Sequence, residues 1–169
     1  MINLIIRPQV GIGNIEIGMT RERVHELLGD KYSMERRDDI FCDFYSDSYM
    51  QICYENNNVN FIELYNNCEF KVLLDNVEIF KTNADELILY LSKLDNFLNT
   101  NEAKTGYMFI YEELGVSLYR SRVCNKKIIE EQWFIQLSQE EKEDELKYLY
   151  FESVAIWSKG YYDSIKMYL

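Results

Sequence analysis

Asn14-Ile15-Glu16-Ile17-Gly18-Met19-Thr20-Arg21-Glu22-Arg23-Val24-His25-Glu26-Leu27-Leu28-Gly29 reads as a capped helix with a glycine on either side. Thr20 is placed to accept a backbone N–H as N-cap, and Glu22 and Arg23 open the first turn. Val24, Leu27 and Leu28 recur at helical spacing, and Gly29 supplies the left-handed residue on which helices commonly end. This is a packing signal, and no catalytic constellation accompanies it.

Strand-like segments follow. Residues 40–45, 49–54 and 59–65 are short aromatic and β-branched runs separated by Ser46-Asp47-Ser48 and Glu55-Asn56-Asn57-Asn58, the pattern of consecutive antiparallel strands. Ile40, Cys42 and Phe44 alternate with Phe41, Asp43 and Tyr45, and Met50, Ile52 and Tyr54 with Tyr49, Gln51 and Cys53. Such alternation predicts a sheet with one buried and one wet face. Asp75-Asn76 between 70–74 and 77–80 predicts a tight hairpin, because both residues tolerate positive φ.

A second helix is expected from Thr82 or Asn83, with Leu87, Ile88, Leu91, Leu94 and Leu98 as its apolar stripe and Asn99-Thr100-Asn101 as its stop. Residues 107–111, 116–120 and 128–137 then resume strand character. Ser138 and Glu141 have capping-box spacing for a charged helix over 138–146, and 147–157 reads as an aromatic strand. The expected class is α+β, with an antiparallel sheet or sheets and helices packed on one face. Residues 1–169 are read as a single domain, since no Pro-, Gly- or Ser-rich linker divides them. Residues 19–74 and 82–157 share the order helix then strands, which suggests two tandem units.

Composition narrows the function classes. The chain has 169 residues, 47% apolar and 15% aromatic, with a single Pro, so it carries enough apolar surface to fold. Its formal charge is −11 and its pI about 4.6. Affinity for nucleic acid or an anionic membrane comes chiefly from Lys and Arg, so neither is an expected partner, and a basic protein is the natural complement. Cys42, Cys53, Cys68 and Cys124 lack any Cys-x-x-Cys spacing and read as small buried hydrophobes. The opening residues do not resemble a secretory signal and no run is long enough to span a bilayer, so the cytoplasm is the expected location.

No residue is assigned a catalytic, cofactor-binding or metal-ligating role, and no cofactor is expected. His25 is the only histidine, which excludes multi-histidine metal sites, and it reads as a structural side chain on a short helix. Gly11-Ile12-Gly13 lacks the third glycine and the Lys-Ser/Thr of a phosphate loop. The acids from Glu140 to Glu145 read as a solvated helix face. The aromatic residues are the remaining lead. They read either as a Tyr-rich core or, beside acidic neighbours on an open sheet face, as a protein-binding surface made of Asp43, Tyr45, Asp47, Tyr49, Glu63, Tyr65, Glu131, Trp133, Trp157 and Tyr161.

Ile15, Gly18, Met19, Thr20, Val24, Leu27, Leu28 and Gly29 together resemble the helix-opening signature of the SmpA/OmlA (BamE) lipoproteins and of the wider β-lactamase-inhibitor-like fold. That resemblance implies a helix lying on an antiparallel sheet used for protein recognition, with no catalytic residues to carry over. The chain departs from those lipoproteins in lacking a lipobox cysteine, and in having Asp30 where they often have Pro. In general character it is also similar to the small acidic immunity proteins of bacterial polymorphic toxin systems. The expected function is therefore a non-enzymatic cytosolic protein-binding module, an immunity protein that neutralises a toxin by direct binding. The alternative is a small-molecule-binding or enzymatic α+β domain with a pocket between helix and sheet, and a homo-oligomer pairing through a strand edge is a third possibility.

Overall fold

The computed structural model describes residues 2–37, 40–67 and 69–162. In chain order the elements are β1 (Ile2–Arg7), β2 (Gly11–Ile12), β3 (Ile15–Glu16), α1 (Arg21–Leu28), β4 (Ser33–Arg37), β5 (Ile40–Tyr45), β6 (Met50–Glu55), β7 (Asn58–Tyr65), β8 (Phe70–Leu74) and β9 (Val77–Glu78). Then come α2 (Ala84–Leu91), α3 (Asn101–Thr105), β10 (Met108–Tyr111), β11 (Val116–Tyr119), α4 (Lys126–Ile129), α5 (Gln132–Gln136), α6 (Gln139–Leu146) and β12 (Ser153–Trp157). The fold is α+β, built on two sheets.

The larger sheet is antiparallel throughout, in the order β10-β11-β12-β7-β6-β5-β4. The smaller one runs β3-β2-β1-β8-β9 and contains one parallel pairing, Ile2 to Ile6 of β1 against Phe70 to Leu74 of β8. Its β2–β3 hairpin is possible only with glycine at position 11, because a Cβ there would stand 2.1 Å from the Ile15 carbonyl oxygen. Helix α1 begins as its sequence requires. The Thr20 hydroxyl accepts from the Arg23 N–H at 3.4 Å, and Gly29, at φ 82°, donates its N–H to the His25 carbonyl.

One core fills the space between the inner face of the large sheet and a cover made of the small sheet, α1 and α2. Ile52, Ile62, Leu64, Leu118, Val154 and Ile156 come from the large sheet; Ile6, Ile12 and Val72 come from the small sheet, and Val24 and Leu87 from the helices. The opposite face is not simply wet. Cys53, Phe61, Ile110, Ala155 and Trp157 form a second apolar cluster there, because the turn after β12 folds back across the sheet and lays Tyr162 edge-on against Trp157 at 4.6 Å.

Several expectations are corrected. Residues 128–137 are not a strand: they lie across α4 and α5, where the Asn125 side chain caps α4 by accepting from Lys127 and Ile128. The stripe of α2 stops at Leu91 and Leu94 is exposed, while Asn83, one of the two expected starts, is the cap. Thr100 opens a helix of its own, α3. Residues 147–149 form a single 3-10 turn, so the last strand starts only at Ser153. The order of elements in 82–157 therefore differs from that in 19–74, with three helices inserted between β11 and β12. Cys42 and Cys53 are not independent buried thiols but a disulfide, formed between residues directly opposite in β5 and β6 with Cα atoms 4.0 Å apart. Cys124 is free and buried, and Cys68 lies outside the described residues.

Candidate functional site

The ten residues proposed from the sequence do not gather on one surface. Glu63, Tyr65, Trp157 and Tyr161 share the outer face of the large sheet, although Trp157 is sealed under Tyr162. Asp47 and Tyr49 belong to the β5–β6 turn and its exit, and Glu131 and Trp133 sit at the start of α5, where the indole N–H donates to the Glu131 carboxylate at 2.6 Å. Asp43 and Tyr45 face inward and are buried, which reverses the surface role expected of them.

The inversion at Asp43 has a clear cause. Its Oδ1 accepts from Arg21 Nη2 at 2.6 Å; its Oδ2 accepts from Arg21 Nε at 2.9 Å and lies 2.8 Å from His25 Nε2. Arg21 and His25 sit one turn apart on α1, so the buried carboxylate latches the helix to β5. Burial pushes the Asp43 carboxyl upward, but hydrogen bonds and charge from Arg21 and His25 outweigh it and hold the group below its ordinary value. The His25 ring stacks on Tyr32 at 4.4 Å, and among the described residues its one polar partner is Asp43. The histidine meets an acid, and among the described residues no hydroxyl or thiol is bonded to its ring; the contact helps fasten α1 to β5.

The outer face carries a groove of about 560 Å³ that sequence reading missed. Phe44, Tyr65 and Tyr161 wall it, the Cys42–Cys53 disulfide and Gln51 form its floor, and Glu35 of the edge strand β4 closes one side. Beside it Glu63 is held in place: Tyr65 Oη donates to Oε2 at 2.9 Å and Ser153 Oγ donates to Oε1 at 2.6 Å. Burial, then the Glu63 charge, raises the Tyr65 hydroxyl pKa, so this phenol stays protonated and donating. The signal for Phe44 and Gln51 was present in the strand alternation, since they lie on the face opposite Asp43 and Ile52. It was overlooked because the charged residue was taken to face water.

A second concavity, of about 520 Å³, lies between the small sheet and the turn that joins β5 to β6. Its walls are apolar, with Ile12, Ile15, Met50 and Phe70 among them, and Leu28, Lys31 and Asp47 also border it. Among the described residues, no group of three or more His, Cys, Asp or Glu side chains is arranged to hold a metal ion, and no helix is long and apolar enough to cross a membrane. Compared with family models, curated proteins and solved structures, the chain finds no match.

Proposed function

We propose that this chain is a non-enzymatic protein-binding module, that its contact surface is the outer face of the large sheet, and that it serves as an immunity protein that binds and neutralises a basic toxin in the cytoplasm. The observation that carries this reading is the groove of Phe44, Tyr65 and Tyr161, flanked by Glu35 and by the fixed carboxylate of Glu63, on a chain of charge −11. Aromatic faces next to carboxylates suit the Lys or Arg side chains of a partner, through cation–π contact and charge-assisted hydrogen bonds. The groove also supplies rigid aromatic anchors of the kind that dominate interface energetics. The Cys42–Cys53 disulfide pulls against a reducing compartment, so location is measured separately, by the redox state of those two residues in cells.

A photo-crosslinking side chain at position 44 tests the surface. The expected result is one crosslinked basic protein whose association rate with the purified chain falls steeply from low to high salt, and falls again in Glu63→Gln. Crosslinking only to a second copy of this chain, or a rate indifferent to salt and to the substitution, overturns the reading. The 520 Å³ concavity favours a second reading, a small-molecule-binding α+β domain, which is compatible with the first because the two regions lie on opposite faces of the large sheet.

A further inference from the structure

Well-packed interiors hold few voids larger than a water molecule, whose share of liquid volume is about 30 Å³. The space of about 520 Å³ at the edge between the two sheets is open to solvent rather than a packing void, and its size falls inside the range of small-molecule sites. Its accessible apolar lining is Ile2, Leu4 and the half-exposed Leu28, over a floor of the core residues Ile12, Ile15, Met50 and Phe70, while its border is polar, with Lys31 and Asp47. One lip is strained: Ser46, Asp47 and Ser48 have φ of 51°, 52° and 73°, three successive non-glycine residues in the left-handed region. Such a run is costly and persists only where the surroundings impose it, a pattern that concentrates at ligand clamps.

Among the described residues, Lys31 is the only cation lining the space and forms no ion pair or hydrogen bond, although the chain carries 29 acidic side chains. Asp47 borders the same space and lies beyond ion-pair reach of it. An apolar hollow with one uncommitted ammonium at its border is complementary to a molecule that is long, apolar and negative at one end. We infer that this concavity binds a single-chain amphiphile with a carboxylate head, the chain lying against Ile2, Leu4 and Leu28 and the head group paired with Lys31. The inference rests on the small-molecule reading and is independent of the outer-face groove.

The test titrates decanoate, decanol and decylamine, each below its micelle concentration, into the full chain by calorimetry. The expected result is saturable one-to-one binding with decanoate preferred over the other two. Lys31→Glu should weaken decanoate at least tenfold and reverse the preference toward decylamine. Leu28→Trp, which fills the border at a half-exposed position, should abolish binding of all three while leaving the thermal midpoint unchanged. No saturable binding of decanoate, equal binding of the three probes, or binding unaltered by both substitutions overturns the proposal. None of these outcomes touches the outer-face proposal, which is read from crosslinking at position 44.

Discussion

The two faces of the large sheet are made by alternate residues of the same strands, yet they are finished differently. The inner face is closed by elements from three directions, the small sheet, α1 and α2, and even its charge is satisfied, with Asp43 fully buried between Arg21 and His25. The outer face is covered at one end by Tyr162 over Trp157, and beside that cover Tyr161 walls an aromatic groove that is left open. The inner face is therefore packed shut, whereas the outer face is only partly covered.

The largest expected effect on this contrast comes from Arg120, which is 2% exposed and donates to the carbonyls of Gly106, Cys124 and Tyr148 while its guanidinium sits over the Phe151 ring. It ties the two ends of the three-helix insertion, at Cys124 and Tyr148, to the C-cap of α3 at Gly106, with the charge of Asp85 also acting on it. Arg120→Ala strands those acceptors and should cost about 4 kcal/mol in chemical denaturation. A loss below about 1 kcal/mol would mean that the insertion is held elsewhere.

Asp43→Asn comes next, at about 2 kcal/mol, because it removes the fully buried carboxylate that accepts two hydrogen bonds from the partly exposed Arg21 and so weakens the latch on α1. The pH dependence has a definite sign. A carboxyl held below its ordinary value in the folded state stabilises the fold fully above the unfolded pKa, near about 3.9, and that contribution disappears as pH falls through the folded value. The wild type should therefore lose stability on acidification over that window, and the Asn variant should show a shallower acid limb. Parallel curves for the two proteins would remove Asp43 from the account.

On the outer face the disulfide closes a short loop, with Cys42 and Cys53 separated by 11 positions, so its removal by Cys42→Ala with Cys53→Ala should cost about 2 kcal/mol. Alkylation under non-reducing conditions should leave both cysteines unmodified. Tyr65→Phe, the smallest of the series, removes one hydrogen bond to Glu63 and should cost about 1 kcal/mol or less. A Tyr65→Phe cost equal to that of Asp43→Asn would erase the distinction between the faces.

Much of the local structure was legible, and for physical reasons. Thr20 and Gly29 bracket α1, Ser138 and Glu141 form their reciprocal capping box, and Asp75, at φ 52°, makes the predicted hairpin. These are decided by neighbours in the chain. What depended on distant residues was not readable. Whether Asp43 faces in or out turns on Arg21 and His25, and the Cys42–Cys53 bond exists only once the register of β5 against β6 is known. Ile128, Ile129, Trp133, Phe134 and Ile135 have strand-forming side chains, but Asn125 and the backbone turns after it commit them to helices. The candidate site suffered most, since a surface is a statement about parity and cover, and one reversed parity moved Asp43 and Tyr45 from the surface to the interior.

The parallel pairing of β1 with β8 carries a consequence for biosynthesis. One edge of β1 pairs early with β2, through Ile6 and Ile12, but its other edge finds a neighbour only at Phe70, once dozens of further residues have been added, an interval on the order of several seconds at typical translation speed. Ile2 and Ile5 remain exposed even in the finished protein. The nascent chain thus carries an unpaired strand edge through that wait, and slowing the ribosome before position 70 should raise the share of product that aggregates.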